Sequence, residues 1–153
     1  MKKLTVILLL SGFSAVLWGQ SNVFLDSFLE KDSADTGTSL LLLAQSLEEL
    51  PLDAAPEDGY NWALEQDFAK YVETKSVDEP ISLGLYYLAL LKSYGVKGGL
   101  WFNWIGTPRQ AVNEAAYMGY LDPSSLFYTR TMTPEEVLSA ISYISADNYG
   151  GRK

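Results

Sequence analysis

The chain contains neither cysteine nor histidine. The first absence excludes disulfides, thiolate nucleophiles and thiolate metal sites, and it leaves no cysteine to carry a lipid anchor near an export cleavage site. A domain exported from this sequence is held by its core alone. The second absence removes Ser–His and Cys–His catalysis, ordinary zinc sites and the usual side-chain switch near neutral pH. Positive charge is also scarce. Eleven Lys and Arg stand against 19 Asp and Glu, a formal net charge of -8. Nucleic acid and anionic lipid are poor partners for such a balance. No cofactor or metal is expected.

Apolar runs are short, with one informative case at the start. Lys2 and Lys3 precede the apolar stretch Leu4 to Leu10, and small or neutral residues lead to Leu17-Trp18-Gly19-Gln20. A basic start, an apolar segment short against the ~20 residues of a spanning helix, and small residues near its end describe a secretory signal peptide over residues 1–19. The expectation is an exported protein, periplasmic or at the cell surface, with no stable membrane insertion after leader cleavage; the alternative is a leader retained uncleaved as an anchor, lengthened by Ser11 to Trp18. An apolar fraction of 48% is ordinary for a globular chain and argues against disorder.

The remaining pattern is helical. Val23, Phe24, Phe28 and Leu29 suit a short helix over 21–29, and leucines 40 to 43 suit a buried one over 39–50 that Pro51 stops. Asp53 to Gly59 reads as a turn. Tyr60, Leu64, Phe68 and Tyr71 follow at helical spacing. Ser82 caps a helix to about Tyr94, with Gly95 as its left-handed stop. Thr107-Pro108 starts another that ends at Gly119. Thr133-Pro134-Glu135-Glu136 is a capping box that opens the last helix. Leu126 to Met132 is the one candidate extended piece. The fold class expected is mainly α: a small bundle of short helices in two to three helix-loop-helix repeats, with little or no strand. One helical domain covers 20–146, with units at about 36–79, 80–131 and a partial 132–146, and 147–153 is a flexible tail.

Ile81-Ser82 and Met132-Thr133 are each an apolar residue followed by a capping hydroxyl, 51 residues apart, and a period of that size points to a repeat. The order Pro80 to Gly95, Thr107 to Asp122 and Leu126 to Glu136, with an earlier copy from near Thr36, resembles the S-layer homology (SLH) repeat. That resemblance implies a cluster of three repeats that binds peptidoglycan or another cell-wall polymer. The family's Thr-Arg-Ala-Glu stretch, source of a basic ligand contact, reads Ser82-Leu83-Gly84-Leu85 in one copy and Thr133-Pro134-Glu135-Glu136 in the other. Neither holds the Arg, so the architecture carries over more readily than the recognition.

The densest aromatic segment is Gly98 to Gly106. Trp101, Phe102 and Trp104 offer ring faces for sugars or a protein partner, and Asn103 offers hydrogen bonds. The alternative is that these rings plug the gap between two helices. Arg109, in the first turn of its helix, pairs with Glu114 or another acid, stays solvated, or meets an anionic ligand. Tyr120 completes the candidate partner-binding set. Glu48, Glu49, Glu65, Asp67, Glu135 and Glu136 are the acids a glycan hydrolase would draw on, but such an enzyme needs two carboxyls ~5–9 Å apart across a cleft, one with a raised pKa. Adjacent acids on solvated helix faces do not meet that demand. Asp32 to Gly37 resembles a calcium loop only faintly, since Leu43 stands where the closing Glu belongs. The sequence therefore points to a non-catalytic module whose partner is a cell-wall polymer or an envelope protein. The other readings are a protein–protein adaptor working through helix faces, a purely structural protein with every aromatic in its core, and a glycan hydrolase.

Overall fold

Three polar side chains, each preceded by a buried residue, start the helices on which the fold is built. The computed structural model describes residues 23–150, and only the backbone of Trp101, Ser125 and residues 148–150. The leader at 1–19 lies outside the described residues. The chain divides into two units, residues 1–31 and 32–153. In the first, residues 23–29 are helical, and Ser27 Oγ donates to the Phe24 carbonyl at 2.7 Å.

The second unit runs α1 (Thr36–Ser46), α2 (Pro56–Leu64), α3 (Ala69–Val72), α4 (Leu83–Ser93), α5 (Leu100–Ile105), α6 (Pro108–Tyr117), a 3-10 turn at Pro123–Ser125, and α7 (Pro134–Gly150). It is mainly helical, and the described residues form no sheet.

Ala34, Ile81 and Met132 stand one residue before the caps of α1, α4 and α7, and all three are buried. Their backbones close a ring. The Ile81 amide donates to the Ala34 carbonyl at 2.9 Å, the Met132 amide to Ile81 at 3.1 Å, and the Ala34 amide to Met132 at 2.8 Å. Each donor and acceptor that would otherwise be buried unpaired is thus satisfied by the next copy. The caps follow. An Asp35 carboxylate oxygen accepts from the Thr38 amide at 2.7 Å, Ser82 Oγ from Leu85 at 3.3 Å, and Thr133 Oγ1 from Glu136 at 3.3 Å. Such caps contribute about 1 kcal/mol each.

The copies extend the match outward. The Thr36 amide donates to Glu79 and the Leu83 amide to Arg130, both at 2.8 Å. The same place in the third copy is Pro134, which has no amide hydrogen. One residue further stand Gly37 and Gly84. A β-carbon at Gly37 would lie 2.5 Å from Val77 Cγ1 and 3.0 Å from the Pro56 carbonyl oxygen. One at Gly84 would lie 2.8 Å from Pro108 Cβ and 2.9 Å from the Tyr128 carbonyl oxygen. Pro56 and Pro108 open α2 and α6, and these helices pack on α1 and α4 respectively. Glycine here lets the second helix of a copy press onto the start of its first. The third copy has Glu135 at this place, and among the described residues no second helix follows α7.

The helix ends obey the same register. After α4, Gly95 takes φ 62°, and the amides of Gly95 and Val96 return to Lys92 and Leu91, both at 3.0 Å. After α1 the equivalent residue is Glu48, at φ 61°, with Glu48 and Glu49 returning to Gln45 and Ala44 at 3.0 Å. The third copy has Ala146 there, which does not favour a left-handed turn. Accordingly α7 continues to Gly150, so 147–150 are helix where the sequence suggests a flexible tail.

Other boundaries also move. Asp35 rather than Ser39 begins α1. The stretch expected as one helix over 60–72 starts at Pro56, because Pro56 suits a first helical position and Asp58 accepts from the Ala55 amide at 2.8 Å. It then breaks after Leu64, which folds Phe68 back edge-on to Trp62, ring centroids 6.3 Å apart. The aromatic segment expected as a loop forms α5. The extended piece expected over Leu126 to Met132 is mostly turn, closed by the Arg130 amide on the Phe127 carbonyl at 3.0 Å, and only Thr131 makes an isolated bridge, to Ser82, as Asp35 does to Pro80.

Candidate functional site

A groove lies between α4, the turn after α6, and α7. Leu83 and Tyr87 of α4, Tyr120 and Leu121 after α6, Met132, and Glu135, Glu136, Ser139, Ala140 and Tyr143 of α7 line a space of about 200 Å³. Helical spacing explains the α7 set, since Glu136, Ser139, Ala140 and Tyr143 fall on one stripe. Tyr120 reaches the groove because Gly119 ends α6 in a left-handed turn, φ 81°, and the Tyr120 amide returns to Ala115 at 2.8 Å.

The polar groups are already paired. Tyr87 donates its hydroxyl to the Tyr120 carbonyl at 3.1 Å, and Tyr120 donates its own to Asp147 Oδ2. Burial pushes the Tyr87 phenol up to about 12, with the Glu136 charge adding to it. Burial and the bond to Asp147 push Tyr120 to about 12 as well. Both remain neutral donors at physiological pH. With its hydroxyl committed within the protein, the half-buried Tyr120 ring offers mainly apolar surface to an occupant, while Tyr87 is buried beneath it. Tyr143 is 65% exposed at the rim.

Glu136 accepts two bonds from the Arg130 guanidinium, at 2.9 and 2.7 Å, and a third from the Thr133 amide at 2.9 Å. The Arg130 bonds are the main cause holding its carboxyl below the usual range, and the pairing raises Arg130 in turn. The last helix of the capping box is thus clamped to the segment before it. Deeper in, Tyr86 is fully buried and its hydroxyl meets the Val137 carbonyl at 3.3 Å, which ties α4 to α7.

The aromatic segment is a separate place. Phe102 turns inward, 2% exposed, with the Lys92 ammonium 5.4 Å from its ring centroid. Trp104 and Leu100, one helical turn apart, are 87% and 88% exposed. Trp104 therefore lies outside the core, against the reading of a protein whose aromatics are all internal, whereas Trp62 is buried. The side chain of Trp101 lies outside the described residues. Asn103 donates to the Gly98 carbonyl at 2.8 Å, an internal use of its amide. Glu114 accepts from the Gly99 amide at 3.0 Å and steadies the start of α5, so of the readings of Arg109 the pairing with Glu114 does not form. Arg109 is exposed and has no ion pair among the described residues. Tyr120 belongs to the groove, whose lining includes none of residues 100–109. The six residues singled out in the sequence thus fall into two places. The groove itself escaped notice because its walls, Leu83, Tyr87, Met132 and Tyr143, come from distant segments and carry no motif. The shared offset of Ile81 and Met132 was the available clue.

Comparisons with protein-family models, curated proteins and solved structures return no match. Among the described residues no cluster of acids is arranged to hold a metal ion, and no helix is long and apolar enough to cross a membrane.

Proposed function

We propose that this chain is an exported, non-catalytic binding module of divergent SLH-like repeats that associates with peptidoglycan or another cell-wall polymer. The observation that carries the reading is the hydrogen-bonded ring of Ala34, Ile81 and Met132, from which three capped helices depart in one register. It supports counting three copies, the number the SLH resemblance implies. The groove between the second and third copies is the polymer site. Tyr120 and Tyr143 supply ring faces suited to the apolar C–H faces of sugars, over a floor that includes the buried Tyr87. No copy supplies the family's Arg, since the first reads Asp35-Thr36-Gly37-Thr38, and Arg130 is held by Glu136. Recognition in this reading is stacking rather than charge pairing.

The acids favour binding over hydrolysis. Glu136 has a lowered pKa, the reverse of what a general acid requires, and Glu135 lies beside it rather than across the groove.

Co-sedimentation of the purified protein with lipid-free peptidoglycan sacculi, over a salt series, tests the proposal. Wild type is expected to sediment at low and high salt, and Tyr143→Ala, at an exposed position, to lose at least threefold in affinity with unchanged circular dichroism. A folded wild type that stays in the supernatant refutes it, as does a Tyr143→Ala variant that binds undiminished.

A further inference from the structure

The acidic balance of the chain is not evenly spread. Residues 80–121 contain Lys92, Lys97 and Arg109 and a single acid, Glu114. That acid is engaged by the Gly99 amide. The short helix α5 is flanked in the chain by Lys97 and Arg109, both exposed. Its Leu100 and Trp104 are almost wholly in solvent and its Ile105 is half exposed. Phe102, on the opposite side, is buried and pins the helix down. Among the described residues nothing covers Leu100 and Trp104, and none forms an ion pair with Arg109. Exposed Leu and Trp one turn apart forgo burial, and an unpaired Arg109 in the first turn of α6 opposes the helix dipole.

From these observations we infer that α5 is a lipid-docking wedge. Leu100, Trp104 and Ile105 enter the headgroup–acyl boundary of an anionic bilayer, and the exposed Lys97 and Arg109 meet the lipid phosphates. Apolar side chains with a Trp, flanked by cations, are the composition that binds such interfaces. Charge complementarity selects a lipid surface over a neutral one, and the exposed aliphatic surface selects a bilayer over a soluble anion. The overall negative charge does not forbid this, because headgroup attraction acts within a Debye length of ~8 Å and samples the local cations first. The wedge is too short to span, and the protein would rest on the membrane.

Vesicle flotation with the full chain tests the inference, using phosphatidylglycerol and phosphatidylcholine vesicles at low and physiological salt. The variants are Leu100→Ser/Trp104→Ser and Lys97→Glu/Arg109→Glu, all at exposed positions. Any contribution of residues 1–19 is common to wild type and variants, so the differences report α5. Wild type is expected to favour phosphatidylglycerol at least tenfold. The first variant is expected to lose about tenfold on both lipids, and the second to lose the anionic preference. Lipids brominated on the acyl chain are expected to quench tryptophan emission, and Trp104→Phe to remove part of that quenching. Wild type failing to float, both variants floating like wild type, or quenching unchanged by Trp104→Phe would each overturn the inference. A protein partner at this edge would leave flotation absent. Sacculus binding through the tyrosine groove is measured without lipid and stands or falls separately.

Discussion

Replacing Glu48 with glycine is expected to stabilise this protein. Glu48 ends α1 with φ 61°, the conformation its counterpart Gly95 adopts after α4. A side chain in the left-handed region costs about 1–2 kcal/mol, because Cβ crowds the following carbonyl. Glycine removes that cost but gives the unfolded chain more freedom, which returns about 0.4–1 kcal/mol. The Glu48 side chain is exposed and has no ion pair among the described residues, so no such contact is lost. Its carboxylate also stands at the negative end of the α1 dipole, where removal helps by a few tenths of a kcal/mol. The net gain is about 1 kcal/mol, or roughly 3–5 °C in Tm for a domain of this size. Urea unfolding followed by circular dichroism at 222 nm, with Tm from a thermal scan, measures it. Gly95→Ala is the control, since a β-carbon there meets nothing within 4 Å. Its loss of about 1 kcal/mol would be backbone strain alone. A Glu48→Gly variant no more stable than wild type, or a Gly95→Ala variant as stable as wild type, would refute the assigned turn energetics.

Gly84→Ala is expected to lose about 1–3 kcal/mol in urea titrations, because the new methyl meets Pro108 and the Tyr128 carbonyl and must push α6 away. Tyr86→Phe should cost about 1 kcal/mol by the same assay, the worth of its one buried bond to Val137. Glu136→Gln should cost about 1 kcal/mol at pH 7, through the Arg130 pair and the capping box. Glu136 has a lowered folded pKa, so its contribution is fully present above the unfolded value and is lost as pH falls through the folded one. Unfolding curves at pH 7 and in acid should show the gap between wild type and Glu136→Gln closing on the acid side. A gap that persists there would contradict the ion-pair account.

Much of the fold was written locally. Ser82, Thr107 and Thr133 cap helices where a hydroxyl precedes an apolar stripe, and Pro108, Gly95 and Gly119 mark starts and stops through their own backbone limits. These signals depend on single residues and need no partner, which is why they could be read directly. The matching offsets of Ile81 and Met132 pointed to two residues whose backbones bond to each other. The first copy was obscured because it uses Asp35 for a hydroxyl and Glu48 for a glycine. Local rules disfavour that second choice, and only the closure of α1 imposes it.

What the sequence determined by itself is therefore the mainly helical class and most caps and breaks, since each follows from bonds made within a turn or two. Tertiary structure decided the rest. It closed the Ala34–Ile81–Met132 ring, turned Phe102 inward while leaving Trp104 in solvent, gave Glu114 to Gly99 instead of Arg109, and moved Tyr120 into a groove with Tyr87 and Tyr143. Those outcomes depend on which distant groups compete for the same backbone donor or the same buried space. A linear pattern names the competitors, and only packing selects the winner.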